Sequence, residues 1–213
     1  MRTRKVITRS GARVRGKFPS AKMGKSIHWE SLLELDACML LEFSTGIKAY
    51  QEQPRKVQIS APGRSSQVQY PDFEITTTDG EVGYLEIKHS SQLSRPEVKE
   101  KLQRLQEHLE DEGYFYKVLT EVEIRRQPLL TTLRRLLTHR SPRITPINAD
   151  MAKKIGSHLH QTTFSELTGI LGSTQSVMTL LADQHWAFDL NKELNSETIL
   201  NKNDGVTYEN ILF

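Results

Sequence analysis

The chain has 213 residues, 37% of them hydrophobic and 26% charged, with a formal net charge of +3. That is enough chain for one large domain or two small ones with a real core, and the composition is that of an ordinary globular protein. No run approaches the roughly 18 apolar residues that span a bilayer, and the basic N-terminus lacks the apolar core of a secretory signal. The single cysteine, Cys38, excludes an internal disulfide framework and a cysteine-based zinc site. A reducing cytoplasm is the expected location, with no membrane partner.

Residues 1–25 carry Arg2, Arg4, Lys5, Arg9, Arg13, Arg15, Lys17, Lys22 and Lys25, and no acidic residue. Such a block solubilises a chain or binds a polyanion. The chemistry further along favours a DNA-binding arm, whose phosphate contacts would steepen the salt dependence of binding.

Residues 26–43 read as a helix with Ser26 as N-cap. Trp29, Leu32, Leu33, Ala37 or Cys38, Leu40 and Leu41 form its apolar stripe, and Thr45-Gly46 ends it. Glu30 and Glu34 lie one turn apart, and periodicity reads them as a solvated stripe or as one metal ligand with a neighbour, favouring the stripe. Residues 47–59 read as extended chain interrupted at Pro54, and Ala61-Pro62-Gly63 as a turn. Strands follow at 67–76 and 82–88, joined through Asp79-Gly80, a strong hairpin signal. Leu93, Val98, Leu102, Leu105 and Leu109 give a helix over 95–112 its buried stripe, and Glu112-Gly113 closes it. A strand over 114–119 and a short helix over 128–138 complete this part, with Arg125, Arg126, Arg134 and Arg135 near the latter. The order predicts an α/β domain over 26–140, with a mixed sheet flanked by helices.

Pro142 and Pro146 mark residues 141–146 as a linker. Beyond it, 147–213 reads as a small domain. Helices are expected over 147–159, 163–171 and 175–184, then a hairpin around Asn195-Ser196. That is a winged-helix-like order. The third helix has no lysine or arginine, so partner docking is its expected role rather than base reading.

Three side chains of the hairpin carry chemistry. Glu86 and Lys88 lie two apart on a strand and share a face, and Asp72 lies across the turn on the partner strand. Magnesium takes hard oxygen ligands and needs only one or two carboxylates besides waters and a substrate phosphate. Asp72, Glu86 and the backbone carbonyl of Ile87 meet that need, with manganese as a substitute. Lys88 orients a water or neutralises phosphate charge. The expected chemistry is metal-dependent hydrolysis of a phosphodiester. His28 and His89 are surface residues near the site, Glu74 shares the face of Asp72, and His158 and His160 face different sides of a helix.

Pro71-Asp72 followed by Glu86-Ile87-Lys88 resembles the PD-(D/E)xK nuclease motif. With Ser31-Leu-Leu-Glu34, Leu41-Glu42-Phe43, Gln51-Glu52-Gln53-Pro54, Tyr70-Pro-Asp72-Phe and Leu85-Glu-Ile-Lys88, residues 28–140 resemble TnsA, the restriction-like endonuclease subunit of heteromeric, Tn7-like bacterial transposases. The resemblance implies a restriction-endonuclease-like fold and makes Glu34, not Glu30, the helix carboxylate. The catalytic set becomes Glu34, Asp72, Glu86 and Lys88, with Glu34, Asp72, Glu86 and the Ile87 carbonyl as magnesium ligands. It further implies cleavage of the 5′ strands at transposon ends. The implied partners are double-stranded DNA, a DDE-type transposase and an AAA+ regulator. The competing readings are a free-standing restriction or repair nuclease and a non-catalytic adaptor.

Overall fold

The computed structural model describes residues 14–59, 67–141 and 147–203. Arg2, Arg4, Lys5, Arg9 and Arg13, the turn at 61–63 and nearly all of the 141–146 linker lie outside them.

The first described elements correct the expected basic arm and the helix start. Gly16–Ser20 (β1) and Lys25–Trp29 (β2) form an antiparallel hairpin, with Phe18, Ile27 and Trp29 buried on one side. Ser26 is therefore a strand residue. The alternation in Lys-Ser-Ile-His-Trp is a strand signal that the following apolar run masks. Helix α1 is Leu32–Phe43, and its N-cap is Ser31, whose side chain accepts from the Glu34 backbone N–H. Lys22 is not an arm residue either. Its ammonium donates to the carbonyls of Leu41, Ser44 and Ile47 at 2.7, 2.5 and 2.9 Å. It supplies the cation that the last turn of α1 lacks.

The central sheet holds Ile47–Glu52 (β3), Phe73–Thr77 (β6), Val82–Ile87 (β7) and Phe115–Leu119 (β8), in the order β3-β6-β7-β8. Val57–Ile59 (β4) and Gln67–Gln69 (β5) form a separate antiparallel pair. β6 and β7 are the hairpin read from the sequence, but the strand expected over 67–76 is broken before Phe73, its first part being β5 in the other sheet; Gly80 takes the positive φ of 94° that the turn requires. β7 and β8 run parallel, so their connection must be a crossover. Ser90–Leu93 (α2) and Pro96–Asp111 (α3) provide it.

Both faces of the sheet are covered. Leu85, Ile87, Phe73 and Ile75 join the core built with α1. Tyr84 and Tyr116 join Leu102, Leu105 and Leu109 of α3 and Val57 and Ile59 of β4. The face carrying Tyr84, Glu86 and Lys88 is thus roofed by a helix, and Glu86 is buried. A short helix missed in the sequence, Glu121–Ile124 (α4), starts at a capping box between Thr120 and Glu123. Leu129–Leu137 (α5) follows a cis Gln127-Pro128 bond and packs on α1.

The C-terminal part runs Ala149–Ile155 (α6), Gln161–Thr163 (β9), Phe164–Leu171 (α7), Thr174–Ala182 (α8), Trp186–Ala187 (β10) and Ile199–Lys202 (β11). The strands form an antiparallel sheet ordered β10-β11-β9. Helix α6 is shorter than expected because Gly156, at φ 75°, ends it. His158 and His160 consequently lie beyond the helix rather than on it. Val177, Met178, Leu180, Leu181 and Ala182 of α8 are buried in the same core as α1 and α5.

Candidate active site

Asp72 immediately precedes β6, and the site forms where β6, the end of β7 and the start of α1 meet. Asp72 Oδ2 accepts the Ile87 backbone N–H at 2.7 Å, which welds the two strands at the carboxylate. The Gln53 N–H donates to the Asp72 carbonyl at 2.9 Å, and Gln53 itself sits at a strained φ of 39° beside it. Lys88 extends past β7, held by its N–H on the Leu119 carbonyl at 3.0 Å.

The Lys88 ammonium lies 2.6 Å from Glu86 Oε1, 3.5 Å from Asp72 Oδ2 and 3.2 Å from the Ile87 carbonyl. Those oxygens belong to the three groups on this hairpin that the sequence pattern assigns to a cation, and they converge on one point. Glu86 Oε2 is buried without a hydrogen-bond partner, as is the Tyr116 hydroxyl on the adjacent strand. An orphaned carboxylate oxygen is costly and wants a cation or water.

Electrostatics set these groups apart. Burial first, and then the Asp72 charge, push the Glu86 carboxyl up to about 7. Glu34 is likewise raised to about 7, by burial and then by Asp72, against hydrogen bonds from Glu30 and Ser31. Asp72 is raised by burial, opposed by Lys88 and by the Ile87 N–H. Burial works against the charged form of Lys88, but Asp72 and Glu86 overcome it and raise the group above its ordinary value. A cluster of carboxylates that repel one another around a cation is a usual property of functional sites.

Glu34 is held apart from the others. Its Oε2 accepts the Glu30 N–H at 2.7 Å and its Oε1 the Ser31 hydroxyl at 3.0 Å. Its influence on Asp72 is electrostatic, and among the described residues no group of three or more His, Cys, Asp or Glu is arranged to hold a metal. What the hairpin provides is two carboxylates and a carbonyl. That set fits magnesium or manganese completing its shell with water and phosphate, and does not fit zinc. The Lys88 ammonium stands at the convergence point, so it must turn aside for a second cation.

Other expected residues fall as follows. Glu74 serves the fold, accepting from Gln51 Nε2 at 2.7 Å and the Tyr84 hydroxyl at 2.9 Å. His28 pairs with buried Glu52 at 3.1 Å. His89 is exposed and caps α2 through the Ser91 N–H. Of the expected DNA-binding residues, Lys17 and Lys25 are exposed on the β1–β2 hairpin and Arg15 is half-buried, whereas Lys22 is committed to the fold as described.

Residues 44–121 match the family model described as TnsA-like endonuclease N terminal. The chain carries a TnsA-like endonuclease domain. The matched segment contains Asp72, Glu86 and Lys88 and omits Glu34, so the hairpin half of the site is where the family's likeness and the geometry coincide. The likeness of this segment is to the endonuclease of a Tn7-like transposase. No curated protein matches the chain. No helix among the described residues is long and apolar enough to cross a membrane.

Proposed function

We propose that the protein is the magnesium-dependent endonuclease subunit of a heteromeric transposase and cleaves the 5′, non-transferred strands at transposon ends. The observation that carries this reading is the convergence of Asp72, Glu86 and the Ile87 carbonyl on the Lys88 ammonium, inside a segment matching a TnsA-like endonuclease. Asp72, Glu86 and the Ile87 carbonyl would hold the cation. When bound, a divalent cation polarises the scissile phosphate and lowers the pKa of an attacking water. The chain's own residues do the rest. Ile87 N–H fixes Asp72 Oδ2, the oxygen that faces the Lys88 ammonium, and so orients the carboxylate. Lys88, freed from the carboxylates, neutralises phosphate charge as it builds. Glu34, held by Ser31 and the Glu30 N–H on the first turn of α1, would act on Asp72 through its charge once ionised.

The C-terminal element order α6-β9-α7-α8-β10-β11, with β11 between β9 and β10, supports a winged-helix reading of residues 147–213. Its third helix, α8, is spent on packing against the nuclease core, which favours docking of a DDE-type transposase or an AAA+ regulator over groove reading. The test is cleavage of a plasmid carrying transposon ends, with and without a co-purified DDE-type transposase. Asp72→Ala and Lys88→Ala are expected to lose 5′ cleavage and keep partner binding. Retained 5′ cleavage in either variant overturns the site. Cleavage of any duplex by the protein alone would instead make it a free-standing nuclease.

A further inference from the structure

Helix α1 carries a second buried carboxylate, Asp36, two residues beyond Glu34. Only 3% of its side chain is exposed. It accepts from Arg125 Nε at 2.8 Å on Oδ2 and from Arg134 at 2.7 Å on Oδ1. Those arginines come from the end of α4 and the last turn of α5, and their side chains remain 42% and 53% exposed. One carboxylate thus orients two guanidinium groups while most of their N–H donors face solvent. Arg126 and Arg135 are exposed next to them in sequence. The two glutamates of α4 turn their oxygens to donors other than Arg125 and Arg134. Glu123 is used in the capping box with Thr120, and Glu121 accepts from the Ser90 N–H and hydroxyl.

The patch is also fixed relative to the cutting site. Asp36 and Glu34 share a helix, about 3 Å apart along its axis and on opposite sides. On the other flank, Glu121 at the start of α4 grips Ser90, two residues after Lys88. At Asp36 the acid is buried and the two bases are presented. A pair of pre-oriented planar forks matches phosphate geometry.

We propose that Arg125 and Arg134, held by Asp36, form a binding site for the phosphodiester backbone flanking the cut, extended by Arg126 and Arg135. The inference rests on the nuclease reading above and adds where the duplex is gripped outside the catalytic hairpin. It is tested on the full chain by fluorescence anisotropy with a labelled duplex, in EDTA, across a potassium chloride series, so that no cleavage is required. The decisive variant changes Asp36→Asn, Arg125→Gln and Arg134→Gln together, which leaves no buried charge unpaired. Its affinity is expected to fall about tenfold or more. The slope of log K against log salt should shrink by about 2, at roughly 0.9 for each phosphate no longer neutralised. Arg125→Lys with Arg134→Lys keeps the ion pairs and protects the test against misfolding. It is expected to retain the slope and lose affinity, because the fork is gone. Unchanged affinity and slope in both variants, with the wild type binding duplex, overturn this site and leave the nuclease reading intact. A wild type that binds no duplex at low salt overturns both. Loss of labelled polyglutamate binding in the first variant, with duplex binding unchanged, overturns it in favour of an acidic protein partner.

Discussion

Two buried glutamates show how differently one fold treats the same side chain. Glu42, at the end of α1, is 0% exposed. It accepts from the Ser20 hydroxyl at 2.6 Å, the Lys22 N–H at 2.9 Å and the Tyr50 hydroxyl at 2.8 Å, and Arg140 Nε stands 3.1 Å away in an ion-pair contact. Arg140 also reaches the Ala182 carbonyl at the end of α8 and lies over the Phe43 ring. Around Glu42, the N-terminal hairpin, α1, β3 and the C-terminal helices are tied together. Glu86, almost as buried, has one oxygen on Lys88 and the other on nothing. The first carboxylate is satisfied by the fold. The second is left short, and burial and then the Asp72 charge push its proton affinity up. A buried acid that the fold declines to satisfy marks a site, and one that it satisfies marks a joint.

The contrast predicts opposite costs. Asp72→Asn removes charge from the unsatisfied cluster, so cleavage should fall about a thousandfold while the melting temperature holds or rises, because carboxylate repulsion is relieved. Single-turnover cleavage beside a thermal melt tests both halves, and a collapsed fold would show that Asp72 is a joint after all. Glu42→Gln should do the reverse, costing about 3–5 kcal/mol in urea unfolding, since it leaves the Arg140 guanidinium buried without its carboxylate. Its residual cleavage at low temperature should stay near wild type.

The pH dependence sharpens the same division. Glu34 and Glu86 titrate near 7 in the folded chain and near 4.5 when unfolded. Between those values the folded state holds more protons than the unfolded one. Their contribution to stability is therefore greatest at the acid end of that window, falls as pH rises and levels above about 7. For the two groups together the decline should be on the order of 5 kcal/mol between pH 5 and 8. Urea unfolding from pH 5 to 8, compared with Glu34→Gln plus Glu86→Gln, isolates it, and the double variant should lose the slope. Magnesium, by favouring the ionised carboxylates, should flatten the wild-type decline and raise the melting temperature at pH 8. A wild-type slope unchanged by the double substitution would mean that the carboxylates are not the source.

The two regions are also unequally legible in the sequence. The hairpin of the candidate site is readable because its determinants are local: an alternating pattern, Asp79-Gly80, and Glu86 and Lys88 two apart on one strand. The roof over that face is not, since Leu102, Leu105 and Leu109 announce a buried stripe without saying what they cover. The Glu42 joint is invisible for the same reason. Its partners lie 20 residues away at Lys22 and 98 away at Arg140, and a lysine in a basic run reads as a solvated arm until its ammonium is found on three carbonyls. Two local signals are present but overshadowed by their neighbours: the alternation of Lys25–Trp29, and Thr120-x-x-Glu123 ahead of α4. Glu34 is legible through its Ser31-x-x-Glu34 cap pattern and family likeness. The spacing that nominates it also explains why it leans on Ser31 rather than on the hairpin of Asp72 and Glu86.

The smallest expected effect probes the edge between site and core. The Tyr116 hydroxyl is buried without a partner, and burial, Glu86 and Asp72 all raise its pKa. If the hydroxyl is an orphan in the resting protein, Tyr116→Phe removes a desolvation cost and leaves the ring packed against Leu105 and Tyr84. Stability should then change by no more than about 1 kcal/mol, and in the favourable direction. A Glu42-like group behaves otherwise: Tyr50→Phe deletes a hydroxyl that donates to Glu42 at 2.8 Å and should cost about 1–3 kcal/mol. Paired urea melts of the two phenylalanine variants decide the matter. Equal losses would place Tyr116 in a satisfied network like that of Glu42, and the distinction between site and joint would stop short of β8.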